Sequence, residues 1–500
     1  MVTSTVEVLG SYPLSKETRD FLDHPVFGHV IGGEVLAAES GETTEVFDPS
    51  SGALIGHGAL GTAGDIDRAV KLATEAFDDG RWRDLRPSEK ENRLHRFAEL
   101  IHANAVTISE LDTLDAGIQS AFTAFYMNLA MELVDYFAGW PSKLHGTIPD
   151  LGKGLSVQLR REPIGVVGLI TPWNAPGAAA VYPVQALAAG NCVILKPAEQ
   201  TPMSAMLIGQ LYAEAGIPDG VLSVVQGDGS TGAALVAHPS VGKIHFTGSV
   251  ETGKKIQASA AQTLKMVDLE LGGKSANIVF ADADLGVAAP TVQSGVWNNS
   301  GQVCTAGTRV LVERSIHDEL VASMIESSKR LKIGGAFDPA TEMGPLISAE
   351  QLERVTDYVS IGESEGAKLA LGGQRIEEGG GYYFSPTIFT SVDNSMRIAQ
   401  EEIFGPVMSV IPFDSEEEAY AIANDSEYGL SAGVWTRDLD RAERASRSLE
   451  AGTVWVNTYQ EVEPSVPYGG VKHSGFGRTL GQEAVEGFTQ TKTVWVRSRS

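Results

Sequence analysis

Short apolar runs alternate with helical segments from Glu162 onwards, and this alternation constrains the fold more than any other feature of the sequence. Such runs are typical of strands that are buried between helices. The predicted strands are Ile164–Ile170, Cys192–Leu195, Val221–Val225, Ile244–Phe246, Ala276–Phe280, Val310–Glu313, Val407–Pro412 and Thr453–Val456. Helices between them include Met203–Ala215, Glu319–Leu331 and Glu416–Ala423. The pattern predicts an α/β fold with two doubly wound domains, which meet near Leu271–Gly273.

The chain before this alternation is predicted to be partly helical. Residues 1 to about 60 are punctuated by Gly, Ser and Pro, with turns such as Asp48-Pro49-Ser50, and are expected to be irregular. Apolar residues then recur at helical spacing from Ile66 to Phe77, and Asp79-Gly80 ends the run. Ser88 and Glu91 have the spacing of a capping box at the start of a second helix. A third helix is predicted from about Ala121 to Gly139.

Two segments, Leu155–Arg161 and Lys492–Val496, alternate apolar and polar residues as exposed strands do. A strand at the end of a chain needs a partner, and the first segment is a candidate for the second. We therefore expect a small β arm that pairs within a homo-oligomer, either a dimer or a tetramer. An ordinary edge strand is the alternative.

Charge and cysteine content narrow the possible functions. A formal net charge of −26 argues against nucleic acid and anionic membranes as partners, because both bind basic surfaces. Two cysteines in 500 residues cannot form a disulfide framework, which suits a reducing compartment. Residues 1–14 have neither the basic start nor the apolar centre of a signal peptide. The expected location is the cytoplasm, and no metal site is predicted.

The segment Gly248–Lys255 nearly matches the motif G-x-x-x-x-G-K-[ST], which is the phosphate-binding loop of nucleotide-hydrolysing proteins. Lys255 occupies the position at which that loop needs a magnesium-binding hydroxyl. However, a strand that runs into a helix at Phe246-Thr247-Gly248-Ser249 still places a helix N-terminus where it attracts phosphate. The G-x-G-x-x-G fingerprint is absent from every predicted strand-to-helix turn. The segment favours a nucleotide cofactor that is bound through its pyrophosphate and is not hydrolysed.

Cys304 lies among small and polar residues in the stretch from Asn299 to Gly307. A partly exposed thiol with a supported charge is a strong nucleophile. A buried cysteine that acts as a small apolar residue is the commoner case. Cys304 taken alone favours the second interpretation.

Five stretches, in order and at long spacing, resemble the aldehyde dehydrogenase superfamily. They are Pro172–Pro176, Lys196–Glu199, Glu270–Lys274, Gly301–Cys304 and Glu402–Pro406, and the match continues to Ser474–Arg478. The resemblance reverses the interpretation of Cys304. It implies a Rossmann-like dinucleotide-binding domain (residues 1–141 and 162–271), a catalytic domain (272–478) and oligomerisation segments (142–161 and 479–500).

The resemblance implies that Cys304 attacks an aldehyde and that a hydride then leaves for NAD(P)⁺, which produces a thioester. Glu270 would activate the water that releases the carboxylic acid, and burial that raises its pKa would help. Asn174 and the Cys304 backbone N–H would bind the oxyanion. Without the resemblance, a strand-end carboxylate and a turn residue would be the simpler interpretations of Glu270 and Asn174.

The resemblance also implies the cofactor residues. The matched positions are Thr171, Pro172, Trp173, Lys196, Glu199, Gly229, Phe246, Thr247, Gly248, Ser249, Leu271, Glu402 and Phe404. A carboxylate at Glu199 would accept hydrogen bonds from the adenosine ribose and repel a 2′-phosphate, which favours NAD over NADP. Charge pairing at a helix N-terminus is an alternative role for Glu199.

Two departures from the family pattern concern the proton path and the substrate tunnel. Tyr182 and Thr479 occupy positions at which many relatives have a lysine and a glutamate that carry the proton away from the general base, so another exit route is our hypothesis. The matched tunnel residues are Phe125, Leu129, Tyr182, Trp297, Val462 and Tyr468. With the small side chains of 177–180, they suggest a bulky apolar aldehyde, aromatic or terpenoid-like. Alternatively, the alanines only pack a helix.

Two other functions remain open at this point. A relative that transfers the acyl group to coenzyme A usually lacks a glutamate at position 270, so Glu270 predicts hydrolysis. A non-catalytic binding or structural protein of the same fold would not need Cys304, Glu270 and Asn174 together. The leading prediction is therefore an NAD-dependent, hydrolytic aldehyde dehydrogenase.

Overall fold

The computed structural model describes residues 5–24, 26–152, 154–377 and 379–497. The N-terminal part is mainly helical, with two short hairpins before the first long helix. Its elements are α1 Thr5–Ser11, α2 Lys16–Leu22, β1 His29–Ile31, β2 Glu34–Leu36, β3 Thr43–Phe47, β4 Leu54–Ala59, α3 Ala63–Asp78, α4 Pro87–Ala103, α5 Ala105–Ala116 and α6 Ser120–Ala138.

The expectation of an irregular region up to about residue 60 is wrong. The strands β1 to β4 have three to six residues each, too few for a clear period-two pattern. The predicted Ser88 cap is also wrong. Helix α4 begins at Pro87, and the Glu89 carboxylate accepts a hydrogen bond from the Arg86 backbone N–H at 2.9 Å. Proline is preorganised for the first helical position, so Arg86 is the N-cap and the helix starts two residues earlier than predicted.

The middle of the chain builds the first large sheet. Its elements are β5 Leu155–Pro163, β6 Val166–Ile170, α7 Pro176–Ala180, α8 Pro183–Ala188, β7 Cys192–Lys196, α9 Met203–Glu214, β8 Leu222–Val224, α10 Gly229–Ala237, β9 Val241–Thr247, α11 Val250–Ala261 and β10 Met266–Glu270. Strands β8, β7, β6, β9 and β10 are parallel neighbours in that order. Helices that follow parallel strands start at the carboxyl edge of the sheet, which is where α/β proteins bind ligands.

The last part builds the second large sheet. Its elements are β11 Ala276–Val279, α12 Leu285–Trp297, β12 Arg309–Glu313, α13 His317–Ser328, α14 Ala349–Ser364, β13 Lys368–Leu371, β14 Arg375–Ile376, β15 Tyr383–Phe384, β16 Thr387–Thr390, α15 Arg397–Gln400, β17 Val407–Phe413, α16 Glu416–Asn424, β18 Tyr428–Gly429, β19 Ser431–Trp435, α17 Leu439–Ser448, β20 Thr453–Val456, β21 Val471–Lys472, β22 Gly475–Phe476, α18 Gly481–Glu486 and β23 Thr489–Arg497. The strand order is β13-β16-β17-β12-β11-β19-β20.

The predicted fold class is confirmed, since both large sheets are mostly parallel and packed with helices. All eight predicted strands are present, each with ends shifted by no more than a few residues. Strand β22 crosses back to pair with β10 at the edge of the first sheet. The division of the chain into domains stays a prediction.

The two exposed strands pair with each other within one chain. Strand β23 runs antiparallel to β5, in register from Thr489 opposite Pro163 to Arg497 opposite Leu155. This two-stranded arm contacts neither large sheet by strand pairing. The predicted partnership of the two segments is therefore confirmed, and their role in an oligomer stays a prediction.

Candidate active site

Cys304 follows helix α12 through a tight left-handed turn. Asn299, Ser300 and Gly301 all have positive φ angles, of 47°, 56° and 76°. A side chain at Gly301 would approach the Gly405 carbonyl oxygen to 2.2 Å, so glycine lets the two loops touch. Backbone strain at non-glycine residues is costly and persists where the surroundings fix it. The turn therefore holds the cysteine loop against the loop of Glu402 and Phe404.

Asn174 is tied to the cysteine loop. Its Nδ2 donates a hydrogen bond to the Gln302 carbonyl at 2.9 Å. In return, Asn299 Nδ2 donates to the Asn174 carbonyl at 3.1 Å. A carboxamide has two N–H bonds, so one orients the side chain and the other can serve a ligand oxygen. Residues more than a hundred positions apart in the sequence are thus brought together at Cys304.

Glu270 ends strand β10 and is only 5% exposed. Neither carboxylate oxygen has a hydrogen-bond partner within the parts of the chain that the structure describes. Burial raises the pKa of Glu270 to about 8, although nearby Thr479 and Arg478 act in the opposite direction. A carboxyl group with such a pKa can accept and return a proton near neutral pH.

The Cys304 thiol is half-buried, and a tyrosine hydroxyl lies beside it. Tyr468 Oη is 3.5 Å from Cys304 Sγ. Burial raises the pKa of Cys304 to about 11, and the contact with Tyr468 lowers it. The carboxylates of Glu402 and Glu270 act in the same direction as burial. The free thiol is therefore protonated at neutral pH and needs help to become a thiolate.

Glu402 lies across a narrow gap from the turn that follows β10. Its Oε1 accepts a hydrogen bond from the Gly273 N–H at 2.9 Å, and burial raises its pKa to about 7. A side chain at Gly272 would come within 2.2 Å of Glu402 Oε2. Phe404 has a φ of 61°, and its ring meets Trp173 edge-on with centroids 5.3 Å apart. Leu271, which directly follows β10, is buried.

The other predicted cofactor residues lie at the carboxyl edge of the first sheet. Thr171, Pro172 and Trp173 follow β6, whereas Lys196 and Glu199 end or follow β7. Lys196 is buried, donates to the Pro197 carbonyl at 2.9 Å and lies 3.6 Å from a Glu199 oxygen. Gly229 begins α10, whereas Phe246, Thr247, Gly248 and Ser249 lead from β9 into α11, where Ser249 is the N-cap. Two helix N-termini thus face this edge, as an anionic ligand requires.

The six predicted tunnel residues occupy three different environments. Tyr182 and Tyr468 lie close to Cys304 and Glu270. Burial is the main cause of the raised pKa of both phenols, and the charges of Cys304 and Glu270 raise it further. Leu129 packs against the apolar core that surrounds the first large sheet. Phe125 and Val462 are exposed, by 62% and 36%, whereas Trp297 is buried in the core under the second sheet. Ala178, Ala179 and Ala180 are buried, which favours packing as their role.

Four residues at the site were not identified from the sequence. Tyr126 and Tyr459 are buried phenols near Cys304, and Tyr459 donates to the Thr305 carbonyl at 2.7 Å. Asn299 and Gln302 fix the turn, because Gln302 Nε2 donates to the Asn299 carbonyl at 3.1 Å. The spacing of Tyr126 from Phe122 and Leu129 on α6 was an available clue.

No group of His, Cys, Asp and Glu suited to a metal ion occurs among residues 5–24, 26–152, 154–377 and 379–497.

Comparison with known proteins identifies the family of the chain. Residues 36–494 match the sequence model of the aldehyde dehydrogenase family. The DhaS protein of Bacillus subtilis (strain 168) is 43% identical over 470 residues, which is 93% of this chain and 94% of that protein. The chain belongs to the aldehyde dehydrogenase family, whose members oxidise aldehydes.

Two solved structures are similar to nearly the whole chain. An NAD⁺ complex of an aldehyde dehydrogenase from Bacillus cereus has a TM-score of 0.96 at 40% identity, covering 98% of this chain and 100% of that one. The P. syringae indole-3-acetaldehyde dehydrogenase AldA, as a mutant in complex with NAD⁺ and IAA, has a TM-score of 0.94 at 42% identity, covering 96% and 99%. No helix in the described parts of the chain combines the length and apolarity needed to cross a membrane.

Proposed function

We propose that this protein oxidises an apolar aldehyde, aromatic or terpenoid-like, to the free carboxylic acid with NAD⁺. The observation that supports this most is the arrangement of three distant residues around one point. Asn174 donates a hydrogen bond to the cysteine loop, and the Glu270 carboxylate lies close enough to Cys304 to raise the pKa of its thiol. A nucleophile, an amide donor and a base are the groups that acyl transfer to water requires.

The residues at the carboxyl edge of the first sheet fit NAD. The helix N-termini at Gly229 and Ser249 suit the pyrophosphate, and the Lys196–Glu199 pair suits the hydroxyls of the adenosine ribose. Glu402 and Phe404 would hold the nicotinamide end. The Glu199 carboxylate disfavours a 2′-phosphate, so NADP would be the weaker cofactor. When bound, the nicotinamide supplies the hydride acceptor.

The residues of this chain then have separate roles. The Cys304 thiol first loses its proton to solvent, and the thiolate then forms a bond to the aldehyde carbon while the carbonyl π electrons move to oxygen. The oxyanion is stabilised by Asn174 Nδ2 and the Cys304 backbone N–H. Loss of hydride from this carbon leaves a thioester on Cys304. Glu270 removes a proton from water, the hydroxide adds to the thioester carbon, and the sulfur leaves with the acid released.

The substrate class is supported by the side chains around the thiol. Tyr126, Tyr182, Tyr459 and Tyr468 are buried and lie near enough to Cys304 for its charge to raise the pKa of their phenols, so four aromatic rings stand near the thiol. Aromatic walls bury large flat ligands well. The AldA protein of P. syringae is named for an aldehyde of this kind. An exposed Phe125 suits the mouth of such a tunnel.

We also propose that the arm of β5 and β23 mediates dimer or tetramer formation in the cytoplasm. Trp495 and Val496 on β23 are 61% and 49% exposed, and Ile148 next to the arm is 71% exposed. Large apolar side chains in water are typical of a surface that another subunit covers. The cytoplasmic location rests on the cysteine content and stays a prediction.

The test is NADH absorbance with a panel of short, long, aromatic and terpenoid aldehydes, with and without coenzyme A. We expect activity without coenzyme A, free acid as product, and a higher kcat/KM for aromatic than for short aldehydes. Activity that requires coenzyme A would contradict hydrolysis. No NADH from any aldehyde, with Cys304→Ala as the blank, would indicate a non-catalytic protein.

Replacing Asn174 with alanine tests the oxyanion role. We expect kcat to fall about 10²- to 10³-fold, because one donor to an oxyanion contributes about 3 kcal/mol to transition-state stabilisation. KM should change little, since the ground-state carbonyl is bound less tightly than the oxyanion. Asn299→Ala is the comparison, because it loosens the turn without removing the donor. A smaller kcat effect for Asn174→Ala than for Asn299→Ala would contradict the assignment.

A further inference from the structure

Tyr468 makes the one side-chain hydrogen bond to Cys304 Sγ within the parts of the chain that the structure describes. The distance from Oη to Sγ is 3.5 Å. The Tyr468 carbonyl accepts a hydrogen bond from Thr479 N–H at 2.8 Å, which fixes the segment. The next residue, Gly469, has a φ of 154°, and a side chain there would lie 2.6 Å from Glu270 Oε1. Tyr468 is therefore held between the nucleophile and the base.

We propose that Tyr468 is a catalytic residue whose phenol donates a hydrogen bond to the Cys304 thiolate and so stabilises the attacking form of the sulfur. No proton is transferred in this contact. The inference rests on the proposed role of Cys304 as the nucleophile, but its test needs no aldehyde. Hydrogen bonds to charged acceptors are stronger than those to neutral ones, so the phenol favours the thiolate over the thiol.

The surroundings of the sulfur explain why a donor is needed. The titratable groups around Cys304 are Glu270, Glu402, Tyr126, Tyr182, Tyr459 and Tyr468, and of these Glu402, Glu270 and Tyr468 shift the pKa of the thiol. Both carboxylates oppose a second negative charge, and burial opposes it more strongly. Burial and the adjacent thiol keep the pKa of Tyr468 well above its usual value, so the phenol stays protonated and can donate.

The other phenols at the site do not have this role. The Tyr459 hydroxyl donates its hydrogen bond to the Thr305 carbonyl, 2.7 Å away. Tyr126 and Tyr182 lie near enough to Cys304 for its charge to raise the pKa of their phenols, yet neither forms a hydrogen bond to the sulfur in the described structure. Tyr126 therefore offers a matched control, since Tyr126→Phe removes a nearby phenol oxygen without removing a bond to Sγ.

The experiment measures the rate of iodoacetamide alkylation against pH in the full-length protein. A Cys192→Ala background leaves Cys304 as the only cysteine. Tyr468→Phe is expected to raise the midpoint of the pH profile by about one unit or more, and to slow alkylation about tenfold below the midpoint. The plateau at high pH, where all of the thiol is ionised, should change little. Tyr126→Phe should leave the midpoint unchanged.

Three results would overturn the proposal. They are an unchanged midpoint in Tyr468→Phe, an equal shift in Tyr126→Phe, and a lower plateau without a shift, which would indicate a steric role. If Tyr468→Phe does not fold, 3-fluorotyrosine at position 468 provides a second test, because its more acidic phenol should lower the midpoint. Alkylation also separates this proposal from the proposed function, since an enzyme inactive towards every aldehyde would still give both profiles.

Discussion

Replacing Cys304 with alanine is expected to lower kcat/KM for aldehyde oxidation by about 10⁴-fold or more, because no other group can form the covalent bond to the substrate. NAD binding should persist, since the cofactor residues belong to other segments. NADH formation measures the first effect, and quenching of tryptophan fluorescence by NAD measures the second. An enzyme that retained a tenth of its activity would have another nucleophile.

The second cysteine provides the matched control for this variant. Cys192 is fully buried at the start of β7, and burial raises the pKa of its thiol to about 12. Cys192→Ala removes a sulfur of the same kind from the core and should keep most of the activity, at a modest cost in stability. A comparable loss of activity in both variants would argue for a structural role of Cys304.

Replacing Glu270 with glutamine is expected to separate the two halves of the reaction. Formation of the thioester does not need the base once the thiolate is present, so one equivalent of NADH should appear in a rapid burst. Steady-state turnover should fall by about 10²- to 10⁴-fold, because water is no longer activated. Stopped-flow absorbance at the NADH band measures both phases. Loss of the burst together with the turnover would assign Glu270 to thiol activation as well.

The proposed base, Glu270, is also expected to set the pH dependence of turnover. Glu270 acts as a base only when it is deprotonated, and burial raises its pKa to about 8. When hydrolysis limits the rate, kcat should rise with pH, about tenfold per unit, and level off above about pH 8. The Glu270→Gln variant should lose this dependence. Wild-type turnover that is flat between pH 6 and 9 would contradict the role of the base.

The long apolar strands could be predicted from the sequence because each one is buried on both faces. Val193, Ile194 and Leu195 in β7 are all fully buried, so the whole run is apolar and stands out in the chain. The hairpins at the N-terminus could not be predicted, because β1 and β2 pair over only three residues through a turn at Gly32-Gly33. Their position at the edge of the first sheet depends on tertiary contacts.

The site was predictable to a similar extent. Cys304, Glu270 and Asn174 belong to stretches that resemble the family, so their positions followed from the sequence. The contact between Tyr468 and the sulfur did not, because the two residues are 164 positions apart and any apolar ring would suit a tunnel wall. The left-handed turn at Asn299 and Ser300 was equally hidden, since neither residue is a glycine.

The most direct test of covalent catalysis is mass spectrometry of Glu270→Gln after one turnover with NAD⁺ and an aromatic aldehyde. Covalent catalysis by Cys304 predicts that the protein gains the mass of the acyl group, and that peptide mapping places this group as a thioester on Cys304. It also predicts no gain in the double variant Glu270→Gln/Cys304→Ala. NADH production without any acyl adduct, or an adduct on another residue, would contradict the assignment of Cys304 as the nucleophile.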